Sequence, residues 1–259
     1  MSSVSGRRRI GVAILMVGAT AVLCGPALAQ VTDINSVVIQ NRRFNDYPNS
    51  TLVTVNTYPT VVSFTEGPFG AGGFANQHLA RFSTNGTTAR SFLNSEAFDI
   101  SFNVNLAVLS AGPRKEAGFR MDTFIAGESF FFVTSDGEVA AFGGPFPFFS
   151  FGASAYTPGT TANLRMIYQP GANATLEYLY NGLSSGPLDF GNLEEGIING
   201  SDMATYVQNQ PNDNNTADFS NVAFTNYSVA VPVPEPMSII GIAAGIGLLL
   251  RRRRKPAGG

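Results

Sequence analysis

Between Gln30 and about Val231 the chain alternates. In Phe98-Asp99-Ile100-Ser101-Phe102-Asn103-Val104-Asn105-Leu106, apolar side chains hold every second position and polar ones fill the gaps. That period of two predicts a strand with one face in a core and the other in water. Leu164, Met166 and Tyr168 repeat the pattern more weakly. They run into Pro170-Gly171-Ala172-Asn173, a β-rich run from Ala174 to Tyr180, and then Asn181-Gly182. Two such runs around a four-residue turn predict a hairpin, and Asn-Gly predicts the next turn. Further strands are expected over residues 52–57, 61–65, 78–82, 118–125, 130–135 and 219–229. Many short strands without a helical period predict an all-β fold, an antiparallel β-sandwich of jelly-roll type.

The two ends break this pattern. Arg7-Arg8-Arg9 precedes an apolar run from Ile10 to Cys24, and Ala27-Leu28-Ala29 follows. A basic region, an apolar stretch and small residues at a cleavage site form a secretory signal peptide over residues 1–29. Signal peptidase would read Ala27 and Ala29 and cut after Ala29. The arginine cluster also leaves a twin-arginine export route open, and Cys24 a lipoprotein, although Leu23 before it is larger than lipidation favours. At the other end, Val233-Pro234-Glu235-Pro236 leads into an uncharged run from Met237 to Leu250 and then Arg251-Arg252-Arg253-Arg254-Lys255. The prolines hold the tetrapeptide extended. As a helix, residues 237–250 would span only about 21 Å at ~1.5 Å per residue, short of a ~30 Å hydrocarbon layer. Such a short transmembrane helix suits a processing signal better than a lasting anchor. The five cations stay on the cytoplasmic side, so the domain upstream is expected outside. Residues 30–231 then form one exported domain and 232–259 a C-terminal signal.

Charge changes the picture once the ends are removed. Half of the 16 basic residues lie in the two labels, leaving 8 basic against 17 acidic residues between Gln30 and Val233, a formal charge of −9. An acidic exported part repels phosphate backbones, which argues against nucleic acid as a partner. Cys24 is the sole cysteine, so the exported part has no disulfide and no thiolate chemistry.

Two resemblances follow. Pro-Glu-Pro, an apolar helix and an arginine cluster, in that order behind a signal peptide, resemble the PEP-CTERM sorting signal of Gram-negative bacteria. The resemblance implies that Pro234, Glu235 and Pro236 are read by an exosortase-type membrane protease. It also implies release to the cell surface or matrix, in association with exopolysaccharide and biofilm. The run Thr161 to Tyr168, the turn, and Thr175 to Gly182 resemble a hairpin common in concanavalin A-like jelly rolls. Those include legume-type lectins, laminin G-like modules and some glucanases. The resemblance implies that a late strand, residues 218–227, returns beside the first strand.

Candidate chemistry is sparse. His78 is the only histidine, with no nucleophile or orienting carboxylate recognisable beside it; a strand-surface or partly buried residue is the plainer reading. Glu96 and Asp99 are three apart, which on a strand places them on opposite faces. Asp122, Glu128, Asp136 and Glu138 lie near adjacent strand ends, where they could converge. The loop Asn212-Asp213-Asn214-Asn215-Thr216-Ala217-Asp218 offers oxygen ligands of the kind Ca²⁺ takes, with Asp213, Asn215 and Asp218 as candidates. Its spacing is not that of an EF-hand, and an Asn/Asp turn is the plainer reading. The aromatic run from Phe142 to Phe151 is expected to fill the core, with a sugar-stacking patch as the alternative. The expectation is therefore a non-enzymatic surface or matrix protein, membrane-held before processing. Its rivals are a lectin-like carbohydrate-binding module and a carbohydrate-active enzyme on the same fold.

Overall fold

Strand β6 (Glu96–Val108) organises the molecule, because its alternation serves two neighbours at once. In the computed structural model, which describes residues 29–70, 73–124, 126–190, 198–211 and 217–230, Phe98, Ile100, Phe102, Val104 and Leu106 all enter the core. The intervening polar residues face outward. β6 pairs antiparallel with β11 (Thr161–Gln169) on one side and with β16 (Ser220–Ala230) on the other. β11 continues into β12 (Thr175–Tyr180), in the register Leu164 opposite Tyr180 and Gln169 opposite Thr175. The expected hairpin is thus present. Asn181 and Gly182, at φ 48° and 82°, then form the turn into β13 (Leu183–Ser184); positive φ at both central residues is the geometry of a tight hairpin turn.

The same sheet is completed by β4 (Val61–Glu66) against β16 and β3 (Leu52–Thr57) at the edge. The two-residue strands β1 (Ala29–Gln30) and β14 (Leu188–Asp189) add to β6 and β12. The order is β13-β12-β11-β6-β16-β4-β3. Facing it is a seven-stranded sheet made of β2 (Ser36–Asn45), β5 (Asn76–Ser83), β7 (Lys115–Thr123), β8 (Gly127–Thr134), β9 (Val139–Phe142), β10 (Phe149–Gly152) and β15 (Asp202–Asn209). Its order is β10-β9-β8-β7-β15-β5-β2. Apart from the parallel β1–β6 pair, the strand pairs within both sheets are antiparallel.

Apolar side chains from both inner faces interlock between the sheets. Phe102 of β6 meets Phe119 of β7 at a ring distance of 4.4 Å, with Phe224 and Tyr227 of β16 at 5.4 and 5.7 Å. Each fully buried phenylalanine contributes about 1.5–3 kcal/mol relative to an exposed one.

One end of this interior is polar. Glu66, Asn76, His78, Lys115, Asn209 and Asp218 are all within 3 % of complete burial. Lys115 Nζ lies 2.7 Å from Asp218 Oδ2. His78 is therefore neither on the surface nor partly buried, because β5 turns Asn76, His78, Ala80 and Phe82 inward. Its partner is a carboxylate that the sequence did not suggest, Glu66 on the opposite sheet.

Candidate functional site

Strand parity decides what the outer face of the seven-stranded sheet carries. In β7, Lys115, Ala117, Phe119 and Met121 are buried on the core side, so Glu116, Gly118, Arg120 and Asp122 face outward. In β15, Met203 and Val207 enter the core, so Asp202, Ala204, Tyr206 and Gln208 face outward. The register then sets neighbours side by side. Asp122 lies opposite Asp202 on one flank and Glu128 on the other. Arg120 lies opposite Ala204, which in turn lies opposite Arg81 of β5.

Three arginines and three carboxylates interlock here. Arg43 of β2 reaches Asp122 at 2.6 Å and Glu128 at 3.0 Å. Arg120 reaches Asp122 at 2.8 Å and also bonds Glu128 and Gln77. Arg81 bridges Asp122, at 3.1 Å, and Asp202. Burial works against the charge on Asp122, but Arg120, Arg43 and Arg81 outweigh it and hold its carboxyl below the usual range. Asp202 is pushed up, first by burial and then by the charge of Asp122, with Arg81 opposing.

Beside this lattice lies an apolar patch. Leu79, Phe132, Ala140, Ala204 and Tyr206 are buried together, with Phe130 packed on them. Arg120 and Arg114 cover the rings of Phe130 and Phe132 at 5.5 and 5.3 Å. Tyr206 donates to Glu116 at 3.2 Å, and burial pushes its hydroxyl well above the ordinary tyrosine value. Burial also raises Glu116 despite Arg114 nearby.

Where β7, β8 and β15 end, Asp122, Thr123, Phe124, Gly200 and Asp202 line a depression of about 140 Å³. Phe124 is 90 % exposed. Its ring lies 3.6 Å from where a Cβ on Gly200 would sit.

The structure sorts the sequence candidates as follows. Asp122 and Glu128 do converge, through Arg43 and Arg120, whereas Glu138 pairs with Arg114 at 2.6 Å and Asp136 bonds Thr134. Parity in β6 separates Glu96 from Asp99: the first binds Arg90 at 3.0 Å and the second binds Arg165. The aromatic run does not fill the core as a block. Phe146 is buried and Phe149 and Phe151 are half-buried, but Phe142 and Phe148 are 41 % and 74 % exposed. The reason is that β9 and β10 are short and joined by a loop, so only some rings meet the interior. Of the Ca²⁺ candidates, Asp218 is turned inward onto Lys115, and Asp213 and Asn215 lie outside the described residues. Ala29 sits in β1, exposed and aligned with Glu96. Ala27, Pro234, Glu235, Pro236, the 237–250 run and the basic tail lie outside the described residues. Arg43, Arg81, Arg120, Asp202 and Tyr206 had no signal in the sequence, since only the sheet order brings them together.

No protein-family model and no curated protein matches the sequence. Solved structures do match its fold. A substituted family 7 alginate lyase in complex with substrate aligns at a TM-score of 0.52 and 12 % identity, covering 81 % of this chain and 99 % of that one. An alginate lyase from Pseudomonas aeruginosa aligns at 0.51 and 10 %, covering 69 % and 86 %. One from Corynebacterium sp. aligns at 0.50 and 14 %, covering 69 % and 80 %. At these identities the likeness is one of fold. The chain is a concanavalin A-like jelly-roll β-sandwich, of the architecture seen in family 7 polysaccharide lyases.

Proposed function

We propose that the chain is an exported surface or matrix protein whose β-sandwich binds polysaccharide and leaves it uncut. Export and sorting rest on the signal peptide over residues 1–29 and the PEP-CTERM-like signal. In that signal Pro234-Glu235-Pro236 is the element read by the sorting protease, and residues 237–250 hold the chain in the membrane until then. The carbohydrate reading rests on the outer face of the seven-stranded sheet. Sugar-binding surfaces combine aromatic rings with fixed polar groups, and this face presents exposed Phe124 and Phe142 beside carboxylates anchored by arginine.

The observation that carries the non-catalytic reading is how these groups are tied up. Cleaving a polysaccharide needs a group that gives up and takes back a proton within reach of the sugar. The only histidine is in the core. Tyr206 is buried and bonded to Glu116. Asp122, Glu128 and Asp202 are each held by at least one guanidinium. A pull-down of the full-length chain on insoluble polysaccharides, with an assay for new reducing or unsaturated ends, tests this. Retention without new chain ends is expected, and depolymerisation would refute it.

One observation favours a second reading, glycoside hydrolysis. Asp122 and Asp202 share Arg81, yet their environments push their proton affinities in opposite directions, which is how an acid and a base are separated at one site. In that case the wild-type chain would release reducing ends, and Asp122→Asn and Asp202→Asn would each abolish the release.

A further inference from the structure

We propose that the depression between Asp122, Asp202 and Phe124 is a subsite for one sugar of a neutral polysaccharide, a sugar without carboxylate, sulfate or phosphate. The inference rests on the polysaccharide-binding reading above and names the class of polymer.

The cations of this domain are already engaged. All eight lysine and arginine side chains of residues 30–230 lie within 3.5 Å of a carboxylate of the same chain. The depression is lined by two carboxylates and no cation, and in the lattice that holds them three arginines meet three carboxylates, which leaves no formal excess of positive charge. A polyuronate would bring one negative charge per sugar to a domain that already carries −9. Arg43, Arg81 and Arg120 each already serve two carboxylates, so a uronate would compete with these for the guanidinium donors. Desolvated charges left behind by such an exchange are costly.

The same groups suit a neutral sugar. A pyranose presents hydroxyls at its edge and C–H bonds on its faces. Asp122 and Asp202 accept hydrogen bonds from hydroxyls, and a charged acceptor makes these bonds stronger than neutral ones. Their orientation is fixed in advance by Arg81, so little side-chain freedom is lost on binding. Phe124 supplies the apolar platform. An aromatic ring that exposed covers no core, and it stands at the rim of the depression. Gly200 contributes only backbone and lies beside the Phe124 ring.

Affinity electrophoresis of the full-length chain in non-ionic detergent tests the assignment. Native gels would contain β-glucan, galactomannan, alginate or polygalacturonate at low ionic strength, where charge attraction is strongest. Retardation by at least one neutral polymer and by neither polyuronate is expected. Phe124→Ala, at an exposed position that leaves folding intact, should weaken that retardation at least about tenfold, as loss of a central aromatic contact commonly does. Asp202→Asn should weaken it to a similar extent, and Phe148→Ala, exposed elsewhere, should leave it unchanged. Retardation by a polyuronate while the neutral polymers are inert would overturn the neutral-sugar assignment and leave the polysaccharide-binding reading standing. Retardation by no polymer would remove both. Unchanged binding by Phe124→Ala would overturn the placement at this depression.

Discussion

Glu66 Oε2 lies 2.8 Å from His78 Nε2, and the two residues belong to opposite sheets. The backbone N–H of Arg42 donates to His78 Nδ1 at 3.1 Å, so the ring proton is on Nε2 and is donated to the carboxylate. Ser50 and Asn76 donate to Glu66 Oε1 and Asn209 to Oε2, at 2.7–3.0 Å. This is a closed structural network, and it explains why a β-bulge places Arg42 at φ 58° in the middle of β2.

Glu66 therefore links stability to pH. Burial alone would raise its carboxyl, but hydrogen bonds from His78, Ser50 and Asn209 bring it below the usual value of 4.5. A lowered folded-state value means a contribution that is complete above the unfolded value and lost as pH falls through the folded value. Glu66→Gln should cost about 3 kcal/mol at neutral pH, and its gap to wild type should narrow below pH 4.5. Urea unfolding at several pH values measures this; a gap constant with pH would place the linkage elsewhere.

Lys115 and Asp218 form a second fully buried pair, 2.7 Å apart. Removing one partner strands the other charge away from water. Lys115→Met alone should cost about 3–5 kcal/mol, and Lys115→Met with Asp218→Leu should cost less than the single change. A double-mutant cycle on thermal or urea unfolding reads the difference directly.

Gly118 has a different constraint. A Cβ there would stand 2.2 Å from Phe131 O and 2.6 Å from Phe132 Cα, both on the neighbouring strand β8. Because main chain cannot swing aside, Gly118→Ala should destabilise at the upper end of the usual overpacking range, about 3 kcal/mol. A melt lowered by roughly 6–12 °C is expected for a domain of this size.

Replacement of Pro234-Glu235-Pro236 by alanines should leave an uncut, membrane-held chain. Fractionation and immunoblotting of the native host would show it, and processing at the wild-type rate would dismiss the sorting assignment.

How much of this was legible in the sequence depended on whether a strand had one wet face. β6 and the β11–β12 hairpin were readable because Asp99, Ser101, Asn103 and Arg165 alternate with core residues. β15 was not, because Ala204 and Tyr206 on its outer face are buried as deeply as Met203 and Val207 on its inner one. Alternation vanishes when both faces are dry. β2 was hidden for another reason: the bulge around Arg42 shifts its period midway. Asp122 and Glu128 could be seen approaching because one tight hairpin joins their strands. Asp202 and Arg43 could not, since they are far apart in the chain and meet only through the sheet order.

The complete pairing of the eight cations has a consequence beyond ligand choice. Residues 30–230 carry a formal excess of nine negative charges, so copies of this domain brought close together repel one another. The range of that repulsion is the Debye length, about 30 Å at 0.01 M salt but only about 10 Å at 0.1 M. Ionic strength thereby sets how closely these molecules can be laid side by side.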